Sequence, residues 1–171
     1  GPVAFTYPPT ANYAGSDSFT FKTSDGNSDS NTATVSLTVN AVNDAPVSSN
    51  QSVSTNEDTA VSNTLSASDA DSSSLTYSVV GNPSHGSVSI TNSGTGAFTY
   101  TPTANYAGSD SFTFKTNDGN SDSNTATVSL TSNAVNDAPV SSNQSVSTNE
   151  DTAVSNTLSA SDVDSSSLTV S

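Results

Sequence analysis

Asp69 and Asp71 stand one residue apart in Ser68-Asp69-Ala70-Asp71, the most concentrated acidic motif of the chain. In an extended loop that alternation turns two carboxylates to one side, an arrangement suited to a hard cation. Calcium takes about six to eight oxygens from carboxylates, amide carbonyls and backbone carbonyls. Loops rich in Asp, Asn and Ser supply such donors. Zinc and copper favour His and Cys, and the chain has one histidine and no cysteine. Between positions 43 and 135 the acidic residues are Asp44, Glu57, Asp58, Asp69, Asp71, Asp110, Asp118 and Asp122. Most fall in segments that read as loops.

Other polar features read plainly. Asp118-Gly119 is a hairpin-turn signal as well as a carboxylate. Asp110 and Asp122 read as solvated turn residues, and Asp58 either supports Glu57 or faces water. His85 lies in a Pro-Ser-His-Gly turn with no second histidine, so it reads as an exposed turn residue, and no Ser–His–Asp set is credible. Lys115 alternates outward from Phe112 and Phe114, which argues against a buried cross-link to an Asn. Gly94-x-Gly96 precedes a strand pattern and carries no Lys, so it is no phosphate cradle.

The elements that must hold these loops follow from a repeat. Residues 3–78 align with residues 96–171 at an offset of 93, with only six differences: Val3/Gly96, Pro8/Thr101, Ser24/Asn117, Val39/Ser132, Ala70/Val163 and Tyr77/Val170. Near-identity at a fixed period is the mark of a tandem array. The natural joint is the Asn-Asp-Ala-Pro segment, because Pro46 and Pro139 cannot donate to a strand ladder. On that phasing residues 43–135 form one complete repeat. Residues 3–42 are the end of a preceding repeat and residues 136–171 the start of the next. Gly1-Pro2 reads as a tag-cleavage remnant.

Within the complete repeat seven strands are expected, near residues 51–55, 60–67, 75–80, 86–90, 97–101, 111–116 and 124–131. The candidate core is Val61, Leu65, Leu75, Tyr77, Val79, Val88, Ile90, Phe98, Tyr100, Phe112, Phe114, Ala126, Val128 and Leu130. Asn82-Pro83, Gly94-Thr95-Gly96 and Asp118-Gly119 supply turns. The pattern predicts an all-β, seven-stranded Greek-key sandwich of the immunoglobulin type. Tyr106, and its copy Tyr13, stand where a tyrosine corner would.

Composition narrows the partners. Only 30% of the 171 residues are hydrophobic, but they come in short alternating runs, which disorder does not require. Sixteen acidic residues face two lysines and no arginine, a net charge of −14. Phosphate neutralisation needs Lys and Arg, so nucleic acid is excluded, and anionic membranes are disfavoured. No run approaches the ~18 apolar residues of a membrane span. Without cysteine, neither disulfides nor a thiol catalyst is available.

Four segments resemble cadherin repeats. Residues 67–80, ASDADSSSLTYSVV, are similar to the cadherin segment in which an Asp-x-Asp pair precedes a Leu-x-Tyr-Ser strand. NEDTAV at 56–61 resembles the segment whose glutamate follows the first strand. Residues 112–131 resemble the last hairpin, and AVNDAPV at 41–47 resembles the inter-domain linker. Order and spacing agree across the whole repeat. Among bacterial relatives the chain resembles the cadherin-like repeats of giant RTX-type adhesins.

The resemblance implies calcium at the joints between repeats. Linker residues Asn43 and Asp44 would meet Asp69, Asp71 and Asp118 of the repeat that follows. At the next joint Glu57 of the preceding repeat would join Asn136, Asp137, Asp162 and Asp164. Asp25 and Glu150 match ligand positions whose joints lie outside the chain. Two departures reduce the expected ions to one or two per joint: the Leu-Asp-Arg-Glu motif is missing, and Ala41 replaces the first linker Asp.

The expected function is therefore a spacer in an extracellular bacterial surface adhesin, with neighbouring repeats as partners. The complementary fragments 3–42 and 136–171 are expected to pair between molecules, head to tail. The alternative is a glycan- or protein-recognition module, which the lack of tryptophan does not favour. No constellation for an enzyme is present.

Overall fold

The computed structural model describes residues 2–170, and no helix occurs among them. Thirteen short strands form instead. They are β1 (Gly15–Phe21), β2 (Ala33–Val39), β3 (Val47–Ser48), β4 (Gln51–Asn56), β5 (Val61–Thr64), β6 (Ala67–Ser68), β7 (Thr76–Gly81), β8 (Gly86–Asn92), β9 (Ala97–Pro102), β10 (Gly108–Asn117), β11 (Ala126–Asn133), β12 (Val140–Ser141) and β13 (Ala160–Ser161).

Strands β3 to β11 build a sandwich. One sheet has the order β4-β11-β10-β7 and the other β5-β9-β8, with the short pair β3-β6 beside them. All pairings are antiparallel except β4 with β11, which is parallel.

The expected second strand breaks in two, and a short extra strand, β3, precedes the expected first one; side-chain amides explain both interruptions. Gln51 donates to Thr64 O at 3.0 Å and accepts from Ser66 N at 3.1 Å. It thereby bridges the interruption between β5 and β6. Asn50 Oδ1 accepts from Thr127 N at 2.8 Å, where the chain crosses from β3 to β4. Side chains thus replace ladder bonds where the backbone changes sheet. Strand β10 starts three residues earlier than its apolar pattern implied. Its polar Gly-Ser-Asp start pairs with Leu130 to Ser132 of β11, and ladder pairing needs no apolar side chain.

Alternation dictates the core. Leu65, Phe98, Tyr100, Phe112, Phe114, Ala126, Val128 and Leu130 are buried, while Val61, Tyr77, Val88 and Ile90 pack against them. Leu75 and Val79 are half-buried. Phe98 meets Phe112 edge-on at 5.2 Å between centroids. Val53 joins this core, although its strand is otherwise polar. The buried polar side chains Ser48 and Thr116 hydrogen-bond each other at 3.0 Å, and Ser48 also meets Ser123 at 2.8 Å.

The flanking copies are sparser. Strands β1 and β2 pair in the register of β10 and β11, Phe19 opposite Val35 as Phe112 is opposite Val128. They have no facing sheet. Phe21 is 46% exposed where its copy Phe114 is 0%. Residues 4–9, the copy of β9, form no strand, and among the described residues beyond 135 only β12 and β13 pair. Strands lacking lateral partners leave their ladder groups to water, which removes the drive to order them.

Tyr106 donates its hydroxyl to Ser109 O at 2.7 Å, and Tyr13 does the same to Ser16 O. The acceptor lies downstream, unlike the upstream acceptor of the immunoglobulin corner. Gly108 has φ +151, and a Cβ there would stand 2.9 Å from the Tyr106 hydroxyl. The ring can cover only a glycine.

Candidate cation-binding joints

At the first joint the linker touches both acidic loops. Asn43 Nδ2 donates to Asp118 Oδ2 at 2.8 Å, and Asp44 N donates to Asp71 Oδ2 at 3.3 Å. Asn120 Nδ2 donates to Asn43 Oδ1 at 2.8 Å. Asn43, Asp44, Asp69, Asp71 and Asp118 therefore lie at one end of the sandwich.

Local turns fix the carboxylates. Asp69 Oδ1 accepts from the N–H of Asp71 at 2.9 Å and of Ser72 at 2.8 Å. Asp118 Oδ1 accepts from Asn120 N at 2.7 Å and Ser121 N at 2.6 Å. These Asx turns are what Asp does in a loop. The Asp71 and Ser72 amides hold the Asp69 carboxyl below its ordinary range. The Ser121 and Asn120 amides, with Asn43, do so for Asp118. Asp71 goes the other way, raised first by contact with the Asp69 carboxylate and then by burial.

The second joint repeats half of this. Asp162 Oδ1 accepts from Asp164 N at 2.9 Å and Ser165 N at 2.8 Å, and Asp137 N donates to Asp164. From the sandwich side, Glu57 is buried at 4% exposure, and its Oε1 accepts from Val135 N at 2.6 Å. The Asp137 carboxyl is pushed up by burial and then by Asp164, Asp58, Glu57 and Asp162. Four acidic residues from two sides of the linker thus act on one carboxyl. Asn136 turns its amide onto Asp137 O at 2.7 Å.

Among the described residues, no group of three or more Asp, Glu, His or Cys side chains is placed so that it could hold a metal ion. The donor set nevertheless fits a hard cation on chemistry. It is all oxygen, and Asp69 Oδ2 is buried without any hydrogen-bond partner. A buried orphan carboxylate oxygen is costly unless something positive satisfies it.

Sequence reasoning missed two residues and misjudged one. Asp58, left undecided there, accepts from Asn105 N at 2.9 Å. Asn105 and its copy Asn12 sit at the joints with left-handed φ of 56° and 59°. Nothing marks them in so Asn-rich a chain. Asp110 is no solvated turn residue: it accepts from Ser84 N, His85 N and the Tyr100 hydroxyl, all between 2.9 and 3.0 Å. Asp122 pairs with Lys115 at the surface. His85 is exposed and stacks on Tyr106, with centroids 4.1 Å apart.

Residues 43–131 match the family described as bacterial Ig domain, and residues 2–40 match the cadherin-like domain. The chain belongs to the bacterial Ig domain family, in its cadherin-like form. The solved structure of human CDH23 EC21-23 is similar over 94% of this chain and 58% of its own, at 21% identity and TM-score 0.64. Human mucin-like protocadherin EC1-2 is similar over 77% of this chain and 74% of its own, at 19% identity and TM-score 0.54. Both likenesses show the fold. An endo-fucoidan hydrolase of glycoside hydrolase family 107 is 28% identical over 74% of this chain, with TM-score 0.45, and this chain spans 20% of it. A comparison with curated proteins finds no match.

Proposed function

We propose that the chain is an extender segment of a secreted bacterial surface adhesin of the RTX type, built of 93-residue cadherin-like repeats stiffened by calcium at their joints. The observation that carries this is the geometry of the second joint, where Asp137 N donates to Asp164 Oδ2 on one side of the linker and Glu57 Oε1 accepts Val135 N on the other. Without a cation such carboxylates repel one another, which loosens the repeat that follows the linker. Asp69, Asp71, Asp118, Asn43 and Asp44 would hold the ion at the first joint. Glu57, Asn136, Asp137, Asp162 and Asp164 would do so at the second.

An ion at about 100 times its dissociation constant stabilises the form that binds it by about 2.7 kcal/mol per site. Thermal melting and small-angle scattering, with calcium and with chelator, test this. A higher melting temperature and a longer particle in calcium are expected; no change in either defeats the reading.

Self-association of this 171-residue polypeptide is a second element of the reading. Phe5, Phe19, Phe21 and Val35 line an apolar groove, and Phe5 is 58% exposed. The equivalent Phe98, Phe112 and Phe114 are buried between the two sheets of the sandwich. The occupant argued for is residues 136–170 of a second copy, whose sequence carries the copies of β4 and β5. Light scattering across a concentration series should show growth beyond the monomer. A mass that stays monomeric at high concentration contradicts it.

A further inference from the structure

Asn105 lies in the turn between β9 and β10, on the sandwich side of the second joint. Its carboxamide faces two carboxylate oxygens, Asp58 Oδ2 at 3.2 Å and Asp137 Oδ2 at 3.1 Å. Only the NH2 end of the amide can serve both, because carboxylates are acceptors. Its backbone N–H also donates to Asp58 Oδ1 at 2.9 Å. Asp58 and Asn105 both carry left-handed φ, 57° and 56°. Asn and Asp are the non-glycine residues that tolerate this region, so the two turns can meet face to face.

We propose that Asn105 is a cation-independent latch of the joint. It ties the Glu57-Asp58 loop to the linker through Asp137 and neutralises part of the repulsion between two carboxylates. Bonds from an amide to a carboxylate are stronger than neutral ones. The latch therefore holds the linker against the sandwich whether or not an ion is present.

The first joint carries the same element in part. Asn12 has φ 59° and lines a cleft with Asp44 and Asp69. The proposal concerns the joint invoked above but does not need calcium to be its ligand.

The test is amide hydrogen exchange by NMR on the whole chain, with Val135 and Asp137 as reporters and Phe114 in β10 as control. Asn105→Gly preserves the left-handed backbone and removes the amide. In chelator it should speed exchange at Val135 and Asp137 roughly tenfold, as for loss of a hydrogen bond to a charged group, and leave Phe114 unchanged. Asn105→Asp should do the same in chelator, because it puts a third carboxylate beside the two. Added calcium should then restore protection in Asn105→Asp more than in Asn105→Gly. Unchanged exchange at the reporters in Asn105→Gly, or loss at Phe114 as well, overturns the latch. If wild-type exchange is the same in calcium and chelator while Asn105→Gly remains fast, the calcium reading fails and the latch stands.

Discussion

Glu57 Oε1 accepts the backbone N–H of Val135 at 2.6 Å, across 78 residues of sequence. The bond joins the loop after β4 to the chain leaving β11, and Asn133 O accepts Glu57 N beside it at 2.9 Å. The sandwich edge is thereby closed next to the linker, and a carboxylate is delivered to the joint.

Glu57→Ala should therefore act on stability as well as on any bound ion. It leaves the Val135 N–H without its partner in a part-buried place, which costs about 1–3 kcal/mol. Urea unfolding of the variant in chelator isolates this term. A midpoint equal to wild type would show that Glu57 has no structural part.

Asp110 gives the sandwich an acid-sensitive point. Burial alone would raise its carboxyl, but the N–H groups of Ser84, Ser111 and His85 and the Tyr100 hydroxyl outweigh it, and its pKa lies below the ordinary value. A depressed carboxyl contributes stability above the unfolded pKa of about 4, and this is lost as pH falls through the folded value. Asp110→Asn should lower stability at neutral pH by about 1–3 kcal/mol and flatten the fall below about pH 4. Denaturation at several pH values reads both effects.

The two copies of one phenylalanine separate burial from sequence. Phe112 is 1% exposed in the core, whereas Phe19 has only Phe5 across an open groove, 5.0 Å between ring centroids. Phe112→Ala should cost about 3–5 kcal/mol. Phe19→Ala should leave the main unfolding transition in place and weaken self-association instead. Calorimetry and light scattering on both variants check this.

Alternation made the core strands legible. Phe98-x-Tyr100, Phe112-x-Phe114 and Ala126-x-Val128-x-Leu130 point inward because neighbouring side chains of a strand face opposite ways. Val53 was not legible, since one valine among Ser, Thr and Gln carries no pattern. Nor were the breaks at Asn50 and Leu65-Ser66, which depend on amides bonding to backbone far along the chain. The acidic candidates were found through repeat register and family resemblance. Asn105 escaped because its role rests on a left-handed backbone and on the approach of Asp58, neither of which a residue type announces.

Calcium anomalous diffraction from crystals of the whole chain grown in the ion tests the central claim most directly. The account predicts a peak within coordination distance of Asp69, Asp71 and Asp118, with Asp69 Oδ2 among its ligands. Well-ordered loops at saturating calcium with no peak there would contradict it.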